Sequence, residues 1–287
     1  MERGRVVLVT GLLPYDSGKT WVSIGLVRAL RSLGVKACYA KPVAGHNAWS
    51  QFPTVLKSLE YGILVGEDAS IATELLGGDL RTVNPVDLLL VPHDPESYPS
   101  LRDYYEHVEE QVGHVVLARF SSCRGGGDRH LFVRENYSRI LPSMRSWIDR
   151  LVEALRAEET TMDELLRLLK SRGTEEELLA CLSKLREGHE VVVVESFNNA
   201  ALPFAGLLNH VDLPLLVAPG YVALLDRDSF ARRVVESAMK LGDMGLAMDQ
   251  VVTQSMVIAA EYLEPVLRPE DLELSKLAEH ISRILKI

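Results

Sequence analysis

A lysine followed by a threonine, set directly behind a glycine, is a grouping that can hold a polyphosphate and its metal ion. The ammonium is a point charge for the β- and γ-phosphates, and the hydroxyl oxygen is a hard ligand of the kind Mg²⁺ takes. Gly18-Lys19-Thr20 offers this grouping. It lies shortly after Val6-Val7-Leu8-Val9-Thr10, an apolar, β-branched run that reads as a strand buried on both faces. Beyond it, Val22, Leu26 and Leu30 recur at helical spacing, Ile24 and Val27 widen the stripe, and Gly34 is a stop. Strand, glycine turn, Gly-Lys-Thr and helix form the order of a phosphate-cradling P-loop, in which backbone N–H groups and a helix N-terminus meet the anion. Gly11, Asp16, Ser17, Gly18, Lys19 and Thr20 are the expected nucleotide-binding residues, with Lys19 catalytic and Thr20 on the metal. The spacing departs from the standard motif, whose first glycine would fall at Leu13. Gly11 stands two residues earlier, so the loop is longer by that amount.

Other chemistry-bearing groups are sparser. Arg119 or Arg124, beside Gly125-Gly126-Gly127, could stabilise transferred charge as an arginine finger, or the glycines could simply turn a hairpin. His46 reads either as an acid/base group or as a solvated loop histidine. The histidines form no HExxH pattern, and Cys38, Cys123 and Cys181 form no CxxC, so neither a zinc site nor a disulfide framework is expected and the thiols read as reduced.

The elements around these residues alternate in the manner of an α/β sheet. Lys36 to Lys41 reads as a second strand ended by Pro42, giving a βαβ unit with the intervening helix as its crossover. Val191-Val192-Val193-Val194 ends in Glu195, Pro214 to Ala218 ends in Pro219-Gly220, and Gln250 to Thr253 reads as a further strand after a helix from about Leu224 to Leu241. A last helix is expected over roughly Glu270 to Leu285. The middle breaks the alternation. Leu101 to Val112 looks helical, His114 to Phe120 and Leu131 to Glu135 look like strands, and helices follow from about Tyr137 to Glu187. Thr161-Met162-Asp163-Glu164 and Thr174-Glu175-Glu176-Glu177 both fit the capping box. The expected fold is therefore a three-layer α/β/α P-loop NTPase with a mostly parallel sheet. Its core spans 1–98 and 188–287, and a mainly helical inserted subdomain or lid spans 99–187.

The bulk properties narrow the function classes. The chain has 287 residues, 47 % of them hydrophobic, and a net charge of −9, which leaves room for a full core but no dominant basic face for nucleic acid. No stretch approaches a membrane span, and the start of the chain is too short in apolar residues for a signal peptide, so a cytoplasmic protein is expected.

Val9-Thr10-Gly11 and Asp16-Ser17-Gly18-Lys19-Thr20, followed by Ala40-Lys41-Pro42-Val43-Ala44-Gly45, resemble dethiobiotin synthetase and its P-loop relatives. Gly66-Glu67-Asp68-Ala69, Thr82-Val83-Asn84-Pro85 and Val194-Glu195 are similar to further segments of that family. The resemblance covers roughly half the chain, from Val6 to Pro85 and from Val191 to Gly220. It implies ATP and Mg²⁺ as cofactors, Lys41 over the substrate and the reacting phosphoryl group, and Asp68 and Glu195 as metal ligands beside Thr20. It also implies a possible homodimer. Lys41 could instead snorkel from a strand end, Asp68 could cap a helix, and Glu195 could be a solvated strand-end residue. The family's glycine-rich turn after the strand-end Glu is replaced by Ser196-Phe197-Asn198-Asn199-Ala200, so Asn198 and Asn199 become candidate substrate contacts. Gln254 stands where the family reads the base with Asn.

Two functions follow as expectations. One is Mg-ATP-dependent phosphoryl transfer that activates a small carboxylate or carbamate, with a small carboxylate or amine as second substrate. The other is a nucleotide-dependent switch acting on a protein partner.

Overall fold

In the computed structural model, residues 3–109, 111–242 and 246–287 are described. Glu110, within the expected helix from Leu101, lies outside the described residues, as do Met1 and Glu2 at the start of the chain. The elements run β1 (Arg5–Gly11), α1 (Lys19–Ser32), β2 (Ala37–Ala40), β3 (Val43–Asn47), α2 (Pro53–Tyr61), α3 (Glu67–Leu76), α4 (Leu80–Val83) and β4 (Val86–Leu90). Next come α5 (Leu101–Glu109), β5 (Val115–Ser121), β6 (Asp128–Val133), α6 (Arg134–Tyr137), α7 (Pro142–Ala154), β7 (Glu158–Thr160), α8 (Met162–Leu169) and α9 (Arg172–Gly188). The chain continues with β8 (Val191–Glu195), β9 (Leu213–Ala218), β10 (Tyr221–Leu225), α10 (Arg227–Leu241), α11 (Met248–Val251), β11 (Val257–Tyr262) and α12 (Ser275–Leu285).

The chain divides into two compact units. The first comprises Met1–Val43, Ile71–Val83 and Leu179–Ile287, and the second comprises Ala44–Ser70 and Asn84–Leu178. The first holds a six-stranded sheet in the order β11-β10-β9-β1-β8-β2. β1 pairs in parallel with β8 and β9, and β2 pairs in parallel with β8, whereas β10 runs antiparallel to both neighbours. β1 and β2 are thus not adjacent, because β8 lies between them. The sheet is mostly parallel and buried on both faces, as continuous apolar strands require. Val7, Val9, Tyr39, Val191 and Val193 pack against α1 and α12 on one side. Val6, Leu8, Val192 and Val194 pack against Leu182 and α10 and α11 residues on the other, giving three layers.

The second unit corrects the expectation of a mainly helical insertion over 99–187. It carries a five-stranded mixed sheet, order β3-β4-β5-β6-β7, and takes in residues 44–70 and 84–98 as well. Its core sets Val116, Leu117 and Phe132 against Ile148 and Leu151 of α7, while Val115, Ala118 and Leu131 meet Leu165 of α8. Two local readings also change. Gln250 to Thr253 is not a strand, because Met248–Val251 is α11 and the strand is β11. Thr161 does cap α8 through a complete capping box, but Thr174 lies inside α9, with its hydroxyl donating to the Leu168 carbonyl. Cys38 is a free buried thiol pushed up to about 12 by burial, hence inert.

Polar residues are buried in the second unit. The Arg119 guanidinium is fully enclosed: Nη2 donates to the Asn84 carbonyl (2.6 Å) and Oδ1 (2.7 Å), and Nη1 to Ser121 Oγ (3.0 Å). It is not an exposed finger. Arg124 is also engaged, its Nε donating to Glu177 Oε1 at 2.7 Å. His46 is buried on β3 rather than solvated. Its Nδ1 faces Thr54 Oγ1 (2.8 Å), whose own hydroxyl donates to the Gln51 carbonyl, so Nδ1 carries the proton. Its Nε2 lies 3.3 Å from Asp87 Oδ2.

His93 and His114 stack at 4.2 Å between ring centroids, with 2 % and 7 % exposure. Burial, then repulsion from His114 and Arg139, lowers the His93 pKa to about 4. His114 is lowered as well, chiefly by burial, against the hydrogen bond to the Val91 carbonyl. Below the unfolded value of about 6.5, the unfolded chain takes up protons that the folded chain refuses. The pair's contribution is therefore whole above about pH 6.5 and is lost as pH falls toward about 4. Urea unfolding of the full chain at a series of pH values should show a loss of up to ~3 kcal/mol across that window from His93. A His93→Phe variant should flatten the profile there, and an unchanged profile would contradict the assignment.

Candidate functional site

The C-terminal ends of β1, β8 and β2 stand side by side, and the parallel register fixes what meets there. Val9 is opposite Glu195, and Ala40 is opposite Val194. Lys41, one residue beyond β2, therefore stands level with Glu195. Alternation along the strand puts Tyr39 and Lys41 on one face, toward α1, with Thr20 in its first turn. The result is a buried polar cluster. Glu195 Oε1 accepts from Lys41 Nζ at 2.7 Å and from Thr20 Oγ1 at 2.9 Å, and Oε2 accepts from the Tyr39 hydroxyl at 2.8 Å. Glu195 is fully buried and Lys41 is 4 % exposed. The structure thus brings Thr20, Lys41 and Glu195 together and rules out the solvated readings of Lys41 and Glu195. It adds Tyr39, whose spacing of two from Lys41 on a strand was the available signal.

The loop from Gly11 to Gly18 accommodates its extra length by an internal clasp. The Leu12 N–H donates to the Val217 carbonyl at 2.9 Å. The Leu13 N–H donates to Ser17 Oγ (3.0 Å), and the Ser17 hydroxyl returns a bond to the Leu13 carbonyl (2.9 Å), closing the loop on itself. Asp16 takes a left-handed conformation (φ 54°) and is exposed, whereas Ser17 is buried. Gly18 is the residue before α1, at φ 84°, a conformation in which a Cβ would be strained. At Gly11 the constraint is space: an added Cβ would lie 2.7 Å from Ser17 Oγ and 2.9 Å from Lys19 Nζ. The Lys19 ammonium is therefore folded over the loop's first residue, and Lys19 is 9 % exposed. The α1 N-terminus has no side-chain cap and no acidic residue of its own in its first turn.

The remaining expected site residues lie on other segments. Asp68 lies in the first turn of α3 and belongs to the second unit. Asn198 is exposed at φ 44°. Asn199 is anchored toward α11: its carbonyl accepts from the Met248 N–H (2.7 Å), and Nδ2 lies 3.4 Å from Asp249 Oδ1. Gln254 is exposed, in a short 3₁₀ turn ahead of β11. Among the described residues there is no cluster of three or more His, Cys, Asp or Glu able to hold a metal, and none of the helices is long and apolar enough to cross a membrane. A shallow cleft lined by Val35, Glu190 and Arg283 lies at the other end of this sheet and gathers no comparable chemistry. No protein-family model, curated protein or solved structure matches the chain.

Proposed function

We propose that this protein is a Mg-ATP-binding P-loop ATPase whose site is built on Lys19, Thr20, Lys41 and Glu195. The observation that carries the reading is the bond from Thr20 Oγ1 to Glu195 Oε1 at 2.9 Å. It sets a hydroxyl oxygen against a buried strand-end carboxylate, two oxygen groups of the kind a hard cation takes. Thr20 and Glu195 supply the oxygen donors that Mg²⁺ takes, so the residues fit the ion, which when bound would bridge phosphate oxygens and neutralise charge. Lys19, folded over Gly11 beside the uncapped start of α1, supports phosphate binding by charge and by backbone N–H groups.

The reaction that the resemblance to dethiobiotin synthetase favours is phosphoryl transfer activating a small carboxylate or carbamate. The chain's own contribution would be positioning and charge stabilisation by Lys19 and Lys41, since this chemistry asks for little covalent participation. One observation favours the second reading, a nucleotide-dependent switch. The segment after Glu195 is pinned by Ser196 Oγ to the Ala200 carbonyl (2.7 Å) and by Asn199 to α11, rather than open to a ligand. Calorimetric titration with ATP tests nucleotide binding itself: Mg²⁺-dependent binding is expected, weakened by about tenfold or more in Thr20→Val. Stimulation of ADP release by small carboxylates or amines then separates the enzyme from the switch.

A further inference from the structure

We propose that Lys41 and Glu195 form a latch that keeps a divalent cation away from Thr20 until a polyphosphate draws Lys41 off. The proposal rests on the nucleotide reading above and names the regulation of that site. Its basis is the sharing of one carboxylate oxygen: Glu195 Oε1 serves both Lys41 Nζ at 2.7 Å and Thr20 Oγ1 at 2.9 Å. Lys41 and Glu195 are 5 % and 0 % exposed at their side chains, so the ion pair has little water to screen it. A carboxylate offers four lone-pair positions in all, and Lys41, Thr20 and Tyr39 take three. A second cation beside Thr20 would meet an ammonium already holding the same oxygen, and in a buried setting that repulsion is weakly screened. Negative charge from a polyphosphate gives Lys41 an alternative partner. Glu195 is then free of its ammonium and available to a cation at Thr20, so nucleotide and metal each favour the other's binding. Tyr39 is a neutral donor on the other oxygen, Oε2, and in both arrangements it holds the carboxylate plane. It is a positioning residue.

The test is Mn²⁺ binding to the full-length, nucleotide-free protein, read from the spectroscopic signal of free Mn²⁺. Lys41→Met removes the competing charge and is expected to tighten Mn²⁺ binding by about tenfold or more. Lys41→Gln, which can still donate to Glu195, is expected to change in the same direction and guards against a fold defect in the first variant. The double variant Lys41→Met/Glu195→Gln restores a neutral pair and should bind Mn²⁺ no better than wild type. Equal Mn²⁺ affinity in wild type and in either folded Lys41 variant would overturn the latch. Failure of the nucleotide reading shows separately, as absence of ATP binding by the wild type in the same buffer. It would overturn the release step while leaving the Mn²⁺ comparison to decide the ion-pair competition.

Discussion

Glu195→Ala is expected to destabilise the protein by about 3–5 kcal/mol, although it removes only one side chain. The magnitude comes from what is left behind. Lys41, 4 % exposed, would lose the carboxylate that its ammonium now reaches at 2.7 Å. The Tyr39 hydroxyl and the Thr20 hydroxyl would lose the acceptors they now reach at 2.8 and 2.9 Å. Removing the charged acceptor from a buried polar cluster costs far more than the net worth of the bonds themselves. Glu195→Gln keeps an acceptor oxygen and should cost less, and adding Lys41→Met to Glu195→Gln should recover part of the loss, since a neutral pair needs no mutual compensation. Urea unfolding of the full chain measures all three. Glu158→Ala is the contrasting case: its carboxylate pairs with Arg129 on the surface, 60 % exposed, and should change stability by less than about 1 kcal/mol. A Glu195→Ala cost as small as that would mean that the ion pair is not buried as described.

Arg119→Leu is expected to have an effect of similar size, about 3–5 kcal/mol, in the second unit. The side chain would still fill the space with apolar atoms, so the cost is polar. The Asn84 carbonyl and Oδ1 would lose the donor at 2.6 and 2.7 Å, and Ser121 Oγ would lose its own at 3.0 Å. Ser121 in turn donates to Asp128 Oδ1 at 2.7 Å, and its N–H donates to the Pro85 carbonyl, so the guanidinium ties the segment before β4 to the end of β5. Arg119→Lys should rescue little, because an ammonium cannot reproduce the forked contact with Asn84 and Ser121. Arg129→Ala, at an exposed position on the neighbouring strand, should be close to neutral. Thermal unfolding of the full-length variants gives the comparison, and a stable Arg119→Leu would contradict the account of the buried network.

Much of the first unit was legible because its signals are local. Val6 to Thr10 and Val191 to Val194 are apolar without alternation, which only a sheet covered on both faces accommodates, and they became β1 and β8. The stripe of Val22, Leu26 and Leu30 became the buried face of α1. What the strands cannot announce is their order. The insertion of β8 between β1 and β2 is a tertiary choice, and with it comes the alignment of Glu195 with Lys41 and the second contact from Tyr39. The second unit was misread for a related reason. β3 and β7 are five and three residues long and carry Gly45, His46 and Glu158-Glu159, a composition that says loop more than strand. Their partners lie far away in sequence and supply the stability that propensity lacks. His46 read as an acid/base group or a solvated loop histidine, and Arg119 as a candidate finger beside a glycine turn. Both are buried where bonding partners from separate segments converge, and no periodicity in the sequence records that.

The central claim is that the loop from Gly11 to Gly18, with Lys19 behind it, receives the phosphates of a nucleotide. Calorimetric titration of Mg-ATP into wild type and Lys19→Ala, with GTP and CTP as controls, addresses it most directly. The Lys19 ammonium folds over Gly11, and circular dichroism of both proteins checks that the variant keeps the fold. The expected result is a saturable heat for ATP in the wild type that weakens by about a hundredfold or more in Lys19→Ala, about 2.7 kcal/mol of binding energy. Equal binding by the two proteins, or no binding of any nucleotide by the wild type, would contradict the claim.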